Sequence, residues 1–101
     1  MEQFFRVLEV HHLSGKNIVN HSHKFGQLAA ILQGTMIIKT DKGWWLIPPG
    51  LSLWLPAGRQ HATSYSEDSH VILIEIEGSR LDQLPAECQP YYSISFAAGI
   101  N

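Results

Sequence analysis

Glycine and proline recur at short intervals along this chain: Gly15, Gly26, Gly34, Gly43, Pro48-Pro49-Gly50, Pro56, Gly58 and Gly78. This punctuation limits the fold more than any other feature, because no central run between the marks is long enough for a typical helix. The runs themselves are rich in β-branched and aromatic residues: LAAILQ, TMIIKT, WWLI, LSLWL and VILIEIE. Many short strands separated by turn residues predict an all-β fold, a sandwich or a barrel. Asp41-Lys42-Gly43 reads as a hairpin turn between TMIIKT and WWLI. Pro48-Pro49 interrupts any ladder, because proline has no N–H to donate. From His70 onward, Ile72, Ile74 and Ile76 share one parity and Glu75 and Glu77 the other, which predicts a half-buried strand with the isoleucines inward. Val71 and Leu73 make the second face partly apolar, to be covered by a second layer or a partner chain. Residues 79–101 read as an irregular C-terminal segment. LDQLPAECQPYY is a loop pattern around Pro85 and Pro90, YYSIS a candidate last strand, and SFAAGIN a turn or two.

A chain of 101 residues holds one domain and one compact core. With 45% apolar and 16% charged residues it is globular and not disordered. Its net charge of −2 and the lack of a basic stripe predict no direct nucleic-acid contact. No apolar run approaches the roughly 18 residues of a membrane span. MEQFFRVLEV lacks the basic leader and long apolar run of a signal peptide. The single cysteine, Cys88, has no disulfide partner within the chain and no nucleophile context. These features predict a cytoplasmic protein with no membrane association.

His21 and His23 stand two apart, which puts both on one side if Ile18–His23 is a strand. Gln27 follows Gly26, which permits a bend that returns its side chain to the same side. His61 follows the turn Pro56-Ala57-Gly58 and shares a face with Thr63 and Tyr65. Three imidazoles and a side-chain oxygen make the four or so ligands a divalent transition metal wants. Imidazole suits zinc, copper, iron and nickel alike, so residue types do not choose the metal. The bland alternative is a polar pocket filled by water.

The spacing gives these residues their weight. The chain reads G-x5-H-x-H-x3-Q-x6-G from Gly15 to Gly34, and G-x5-P-x-G-x2-H from Gly50 to His61, with Tyr65 four residues on. These intervals resemble the two motifs of the cupin superfamily, which read G-x5-H-x-H-x3-E-x6-G and G-x5-P-x-G-x2-H-x3-N. The resemblance covers motif 1 at about 15–34 and motif 2 at about 50–65, within a single cupin domain over 1–101. It implies a small antiparallel β-barrel or jelly roll of the RmlC-like type, with His21, His23, Gln27 and His61 as metal ligands at one mouth. Zinc, nickel, iron, manganese and copper all come into question. Gln27 stands where the family has Glu, and Tyr65 where it has Asn. A neutral donor set holds metal less tightly and favours anionic ligands.

A narrower resemblance lies in Gly26-Gln27-Leu28, Trp45-Leu46-Ile47-Pro48-Pro49-Gly50 and Trp54-Leu55-Pro56-Ala57-Gly58. These are similar to the N-terminal sensor domain of AraC-type transcription regulators, in which Gln27 is the expected residue. The helix-turn-helix part of those regulators has no counterpart before Asn101, so direct DNA binding is not expected.

Thr63, Tyr65, Met36, Ile38 and Trp54 are the candidate ligand-binding residues. Lys39, on the opposite parity, prefers water, which turns Met36 and Ile38 inward, where ordinary core is the competing role. Trp44 and Trp45 must face opposite ways in a strand, and an outward Trp wants cover, which predicts a homodimer. His11, His12 and His70 read as surface or strand-end residues. Three functions fit: a sensor-like cupin binding a small molecule, a small metal-dependent isomerase or oxygen-using enzyme, and a degenerate barrel that binds full-length relatives. Glu9 is the one loose candidate for a general base, and the expected lack of an inward carboxylate favours binding over catalysis.

Overall fold

The computed structural model describes residues 4–77 and 81–92. Nine antiparallel strands in two sheets make up nearly all of it, with one 3-10 turn at Leu81–Gln83. The strands are β1 (Phe4–His12), β2 (Asn17–His21), β3 (Gly26–Gln33), β4 (Met36–Thr40), β5 (Gly43–Ile47), β6 (Leu51–Leu55), β7 (His61–Tyr65), β8 (Ser69–Glu77) and β9 (Gln89–Tyr92). One sheet runs β1-β8-β3-β6-β9 and the other β2-β7-β4-β5. The interleaved order is that of a jelly roll, the architecture that the cupin resemblance implies, within the all-β class expected from the punctuation.

The five runs LAAILQ, TMIIKT, WWLI, LSLWL and VILIEIE all lie in strands, and Asp41-Lys42 turns β4 into β5 with Thr40 opposite Gly43. Alternation sorts side chains as the pleat requires. Ala29, Ile31, Leu53, Leu55 and Val71 from the first sheet meet Met36, Ile38, Ile47 and Tyr65 from the second, and these form the core. Trp45 packs against that core and Trp44 points out at 68% exposure, as two adjacent strand residues must.

Three expectations are corrected. The isoleucines of β8 do not point inward: Ser69, Val71 and Glu75 are the buried residues of that strand. Register with β1 pairs Ile72, Ile74 and Ile76 with Glu9, Val7 and Phe5 on the outer face. The inner parity is less apolar in sequence because it ends at the polar mouth of the barrel. Gly26 makes no sharp bend. It is an ordinary strand residue without positive φ, and a Cβ there would collide with the Trp54 ring. The C-terminal segment is not wholly irregular, because Gln89–Tyr92 pairs with β6. Pro90 is tolerated there because β9 is an edge strand. Ser93-Ile94-Ser95 and SFAAGIN lie outside the described residues.

Among the described residues, no helix is long and apolar enough to cross a membrane.

Candidate functional site

His61 opens β7 directly after the Pro56–Gly58 turn and sits 2% exposed on the inner face, in line with Thr63 and Tyr65. β2 pairs with β7 so that His21 lies opposite His61. His23 joins them by a different route from the one expected. β2 ends at His21, so strand parity does not place His23; the segment after it turns back and stacks the ring on Phe25 at 4.6 Å. The three imidazoles converge, with centroids 4.4 Å apart for His21 and His61, 4.6 Å for His21 and His23, and 5.4 Å for His23 and His61. One nitrogen from each lies within 4.8 Å of the others.

Hydrogen bonds decide which nitrogens face inward. His21 Nδ1 donates to the Val19 carbonyl at 2.7 Å, and His61 Nδ1 donates to the Arg59 carbonyl at 3.1 Å. A carbonyl only accepts, so in each neutral ring Nε2 keeps its lone pair. His21 Nε2 lies 3.0 Å from His23 Nε2. Two nitrogens on one tetrahedral zinc would stand about 3.3 Å apart, given Zn–N near 2.0–2.1 Å. Burial lowers the pKa of His61 and His23 below its ordinary value, and His21 beside them adds to that shift, while the Arg59 carbonyl opposes it at His61 and Glu75 opposes it at His23. Neutral rings are what a metal requires. The donor set, its oriented nitrogens and their spacing therefore fit a divalent transition metal.

The cluster opens into a cavity of about 190 Å³ between the sheets. Gln27, Met36, Ile38, Thr63 and Tyr65 line it, and Met36, Ile38 and Tyr65 are at the same time part of the packed core. Tyr65 donates its hydroxyl to Met36 Sδ at 3.4 Å, and burial pushes that hydroxyl up to about 12, with the nearby Thr63 pulling weakly the other way. With the Tyr65 proton given to sulfur, Thr63 Oγ1 is the buried side-chain polar atom that lacks a partner among the described residues. Larger surface depressions, of about 370, 330, 320 and 260 Å³, hold none of the cluster, and the first two lie around Asp41 and Gln60.

Trp54 is not in the cavity. It stands on the outer face of its sheet over Gly26, and its Nε1 donates to the Pro85 carbonyl at 2.8 Å. Its parity on β6 decides this, because Leu53 and Leu55 take the inner face. Glu9 is also outside, bonded to His70.

Glu75 is the residue that sequence reasoning misses. It is 6% exposed, lines the cavity, and lies opposite Gln27 across the β3–β8 ladder. Arg6 reaches it from β1, with Nε donating to Oε1 at 2.8 Å. A carboxylate is thus present beside the imidazoles, one strand over from the position where Gln27 lacks one. The signal available was the shared parity of Glu75 with Val71 and Leu73. His12, stacked on Tyr65 at 4.3 Å, is a second cavity residue read as surface.

A family model described as the AraC-like ligand binding domain matches residues 7–97. The HTH-type transcriptional regulator NimR of Escherichia coli K12 is 28% identical over 68 residues, covering 67% of this chain and 24% of that protein. The chain therefore spans about a quarter of the length of the relative it matches. Among solved structures, KdgF from a Halomonas species overlays with a TM-score of 0.68 at 22% identity, over 79% of this chain and 75% of that one. An RmlC-like cupin from Shewanella frigidimarina gives 0.67 at 16%, over 79% and 71%. Bacillus subtilis oxalate decarboxylase, a protein with Mn(II) centres, gives 0.64 at 20%, over 74% and 22%. These structural likenesses show a cupin fold.

Proposed function

The chain belongs to the AraC-like ligand binding domain family, and from that premise we propose that it is a sensor-type cupin, one domain binding a small anionic molecule at a metal held by His21, His23, Gln27 and His61. The observation that carries this reading is the convergence of three imidazole nitrogens, two oriented by backbone carbonyls, at the mouth of a cavity between the sheets. Carboxylates and carbonyls commonly orient metal-bound histidines in this way. The metal, when bound, supplies positive charge and a coordination position open to ligand.

Charge supports an anion. Arg6 offsets Glu75, and the imidazoles and Gln27 are neutral, so a divalent ion leaves the site positive. Thr63 Oγ1 offers a buried hydroxyl to a ligand oxygen, and Tyr65 beside it stays protonated at neutral pH. A cavity of 190 Å³ suits a molecule smaller than a drug, whose sites start near roughly 300 Å³. The likeness to NimR supports a link to transcription regulation through a partner that reads DNA. A homodimer in the cytoplasm completes this reading. Phe5 at 65% exposure and Val7 at 64% leave the outer face of the larger sheet apolar, and the lone Cys88 forms no disulfide within the chain.

Metal analysis and thermal melting test the proposal. The freshly purified chain holds one more equivalent of metal than the His21→Gln/His61→Gln variant. Loaded protein melts higher with sugar acids or aromatic acids than with neutral sugars, and the variant loses that difference. Equal metal content and equal ligand response in the two proteins would refute it.

One observation favours a second reading, a small metal-dependent isomerase or oxygen-using enzyme: the buried Glu75 carboxylate faces the same cavity and fits a general base. Under that reading Glu75→Gln abolishes turnover and keeps the metal, whereas a sensor shows no turnover before or after the change.

A further inference from the structure

The strand that carries His12 into the cavity presents different chemistry on its other side. In β1, Arg6 reaches the buried Glu75 and His12 stacks on Tyr65, so this parity faces in. Glu9 and His11 hold the opposite parity, two residues apart on the outer face. The β1–β8 register sets His11 directly opposite His70. The His11 and His70 rings stack at 4.2 Å with 18° between their planes. His70 Nε2 meets Glu9 Oε2 at 2.5 Å. One ligand atom from each residue lies within 4.8 Å of the others.

We infer that Glu9, His11 and His70 form a second divalent transition-metal site, on the outer face of the barrel and made of residues that the cavity does not use. Two imidazoles and a carboxylate are a complete three-residue zinc set, leaving a fourth position to water. The site is drawn from two adjacent strands, whose pairing fixes the Cα positions before metal arrives. Exposed side chains then need only rotate to close on the ion. A bound ion stabilises whichever state holds the ligands together. Here it ties β1, an edge strand, to β8 across a sequence separation of 61 residues. The site thus acts as a clip for the edge strand that carries Arg6 and His12 into the cavity, and metal supply outside the barrel bears on the order of the site inside.

Zinc titration of chelator-treated protein, followed by calorimetry and melting near pH 7.5, separates the two sites. His21→Gln/His61→Gln removes the cavity donors, and this variant still binds one equivalent of zinc and melts higher for it. His11→Gln/His70→Gln binds one equivalent fewer than the wild type, with its fold checked by circular dichroism. If the cavity takes no zinc, the wild type binds one equivalent, which only the outer-face changes remove. The inference is overturned if the outer-face variant binds as much zinc as the wild type, or if the cavity variant binds none. Should the cavity variant not fold, the comparison of wild type with His70→Gln alone decides by the same loss of one equivalent.

Discussion

His61 shows how much one side chain can be made to do by its backbone. The Pro56–Gly58 turn launches β7, the Arg59 carbonyl accepts a hydrogen bond from Nδ1–H, and Nε2 is left facing two other imidazoles. The cost is proton-linked. His61, His23 and His12 all fold with pKa values below the ordinary 6.5, burial being the first cause for each, with Lys16 adding to it at His12. The native chain therefore binds fewer protons than the unfolded chain as pH falls through this range. The stability these groups contribute is complete above about pH 6.5 and is lost as pH drops through their lower folded values. Metal-free protein should melt progressively lower between about pH 7 and pH 5, and His61→Gln should flatten that slope. Equal slopes in the two proteins would contradict the account. His61, with Thr63 and Tyr65 on its face, was legible in the sequence, because turn chemistry and strand parity agree there. His23 was legible as a partner but not by parity, since the chain leaves the strand at His21.

At the scale of an element, β8 and β6 teach the same lesson in opposite directions. β8 is apolar on both parities, so the three isoleucines outvote Glu75 in the sequence. In the structure, Arg6 satisfies the carboxylate at the barrel mouth and the isoleucines go outside. β1 is equally ambiguous, with Phe5 and Val7 on one side and Leu8 and Val10 on the other. In β6 the large aromatic looks like a pocket wall, but its parity sends Trp54 outward, where Gly26 leaves room for the ring and Pro85 takes its N–H. Gly26→Ala should cost about 1–3 kcal/mol by overpacking against that ring. In a Trp54→Leu background the added cost should fall close to zero, as a double-mutant cycle by urea melts would show. An undiminished penalty would mean that Gly26 serves some purpose other than making room. Among the described residues, Gly34 is the other position where an added Cβ meets atoms closer than contact distance. Its φ is +84°, and a Cβ would stand 2.7 Å from the Asp68 carbonyl oxygen.

The whole molecule is a two-layer barrel whose inside and outside differ from the usual pattern. The inside grades from an apolar core to a polar mouth, while the outside of the larger sheet stays apolar at Phe5, Val7 and Leu32. Exposed apolar residues grouped on one face mark a candidate interaction surface. If a second copy covers it, Phe5→Glu/Val7→Lys should convert a dimer to a monomer by light scattering without lowering secondary-structure content. A wild type that is already monomeric would remove the dimer from the account. The family motifs were readable because their glycines and prolines mark the ends of the strands on which His21, Gln27 and His61 sit. The motifs did not point to the carboxylate in the cavity, because it comes from β8, outside both, and only its parity with Val71 and Leu73 marked it. The proposed function requires metal coordination by imidazoles brought together from β2, the segment after it, and β7. X-ray absorption at the zinc edge, on His11→Gln/His70→Gln protein loaded with one equivalent, measures this directly. The account predicts three imidazole nitrogens at about 2.0–2.1 Å, lost when His21 and His61 are also changed to Gln. A spectrum of oxygen ligands alone, or one that the cavity changes leave unaltered, would contradict it.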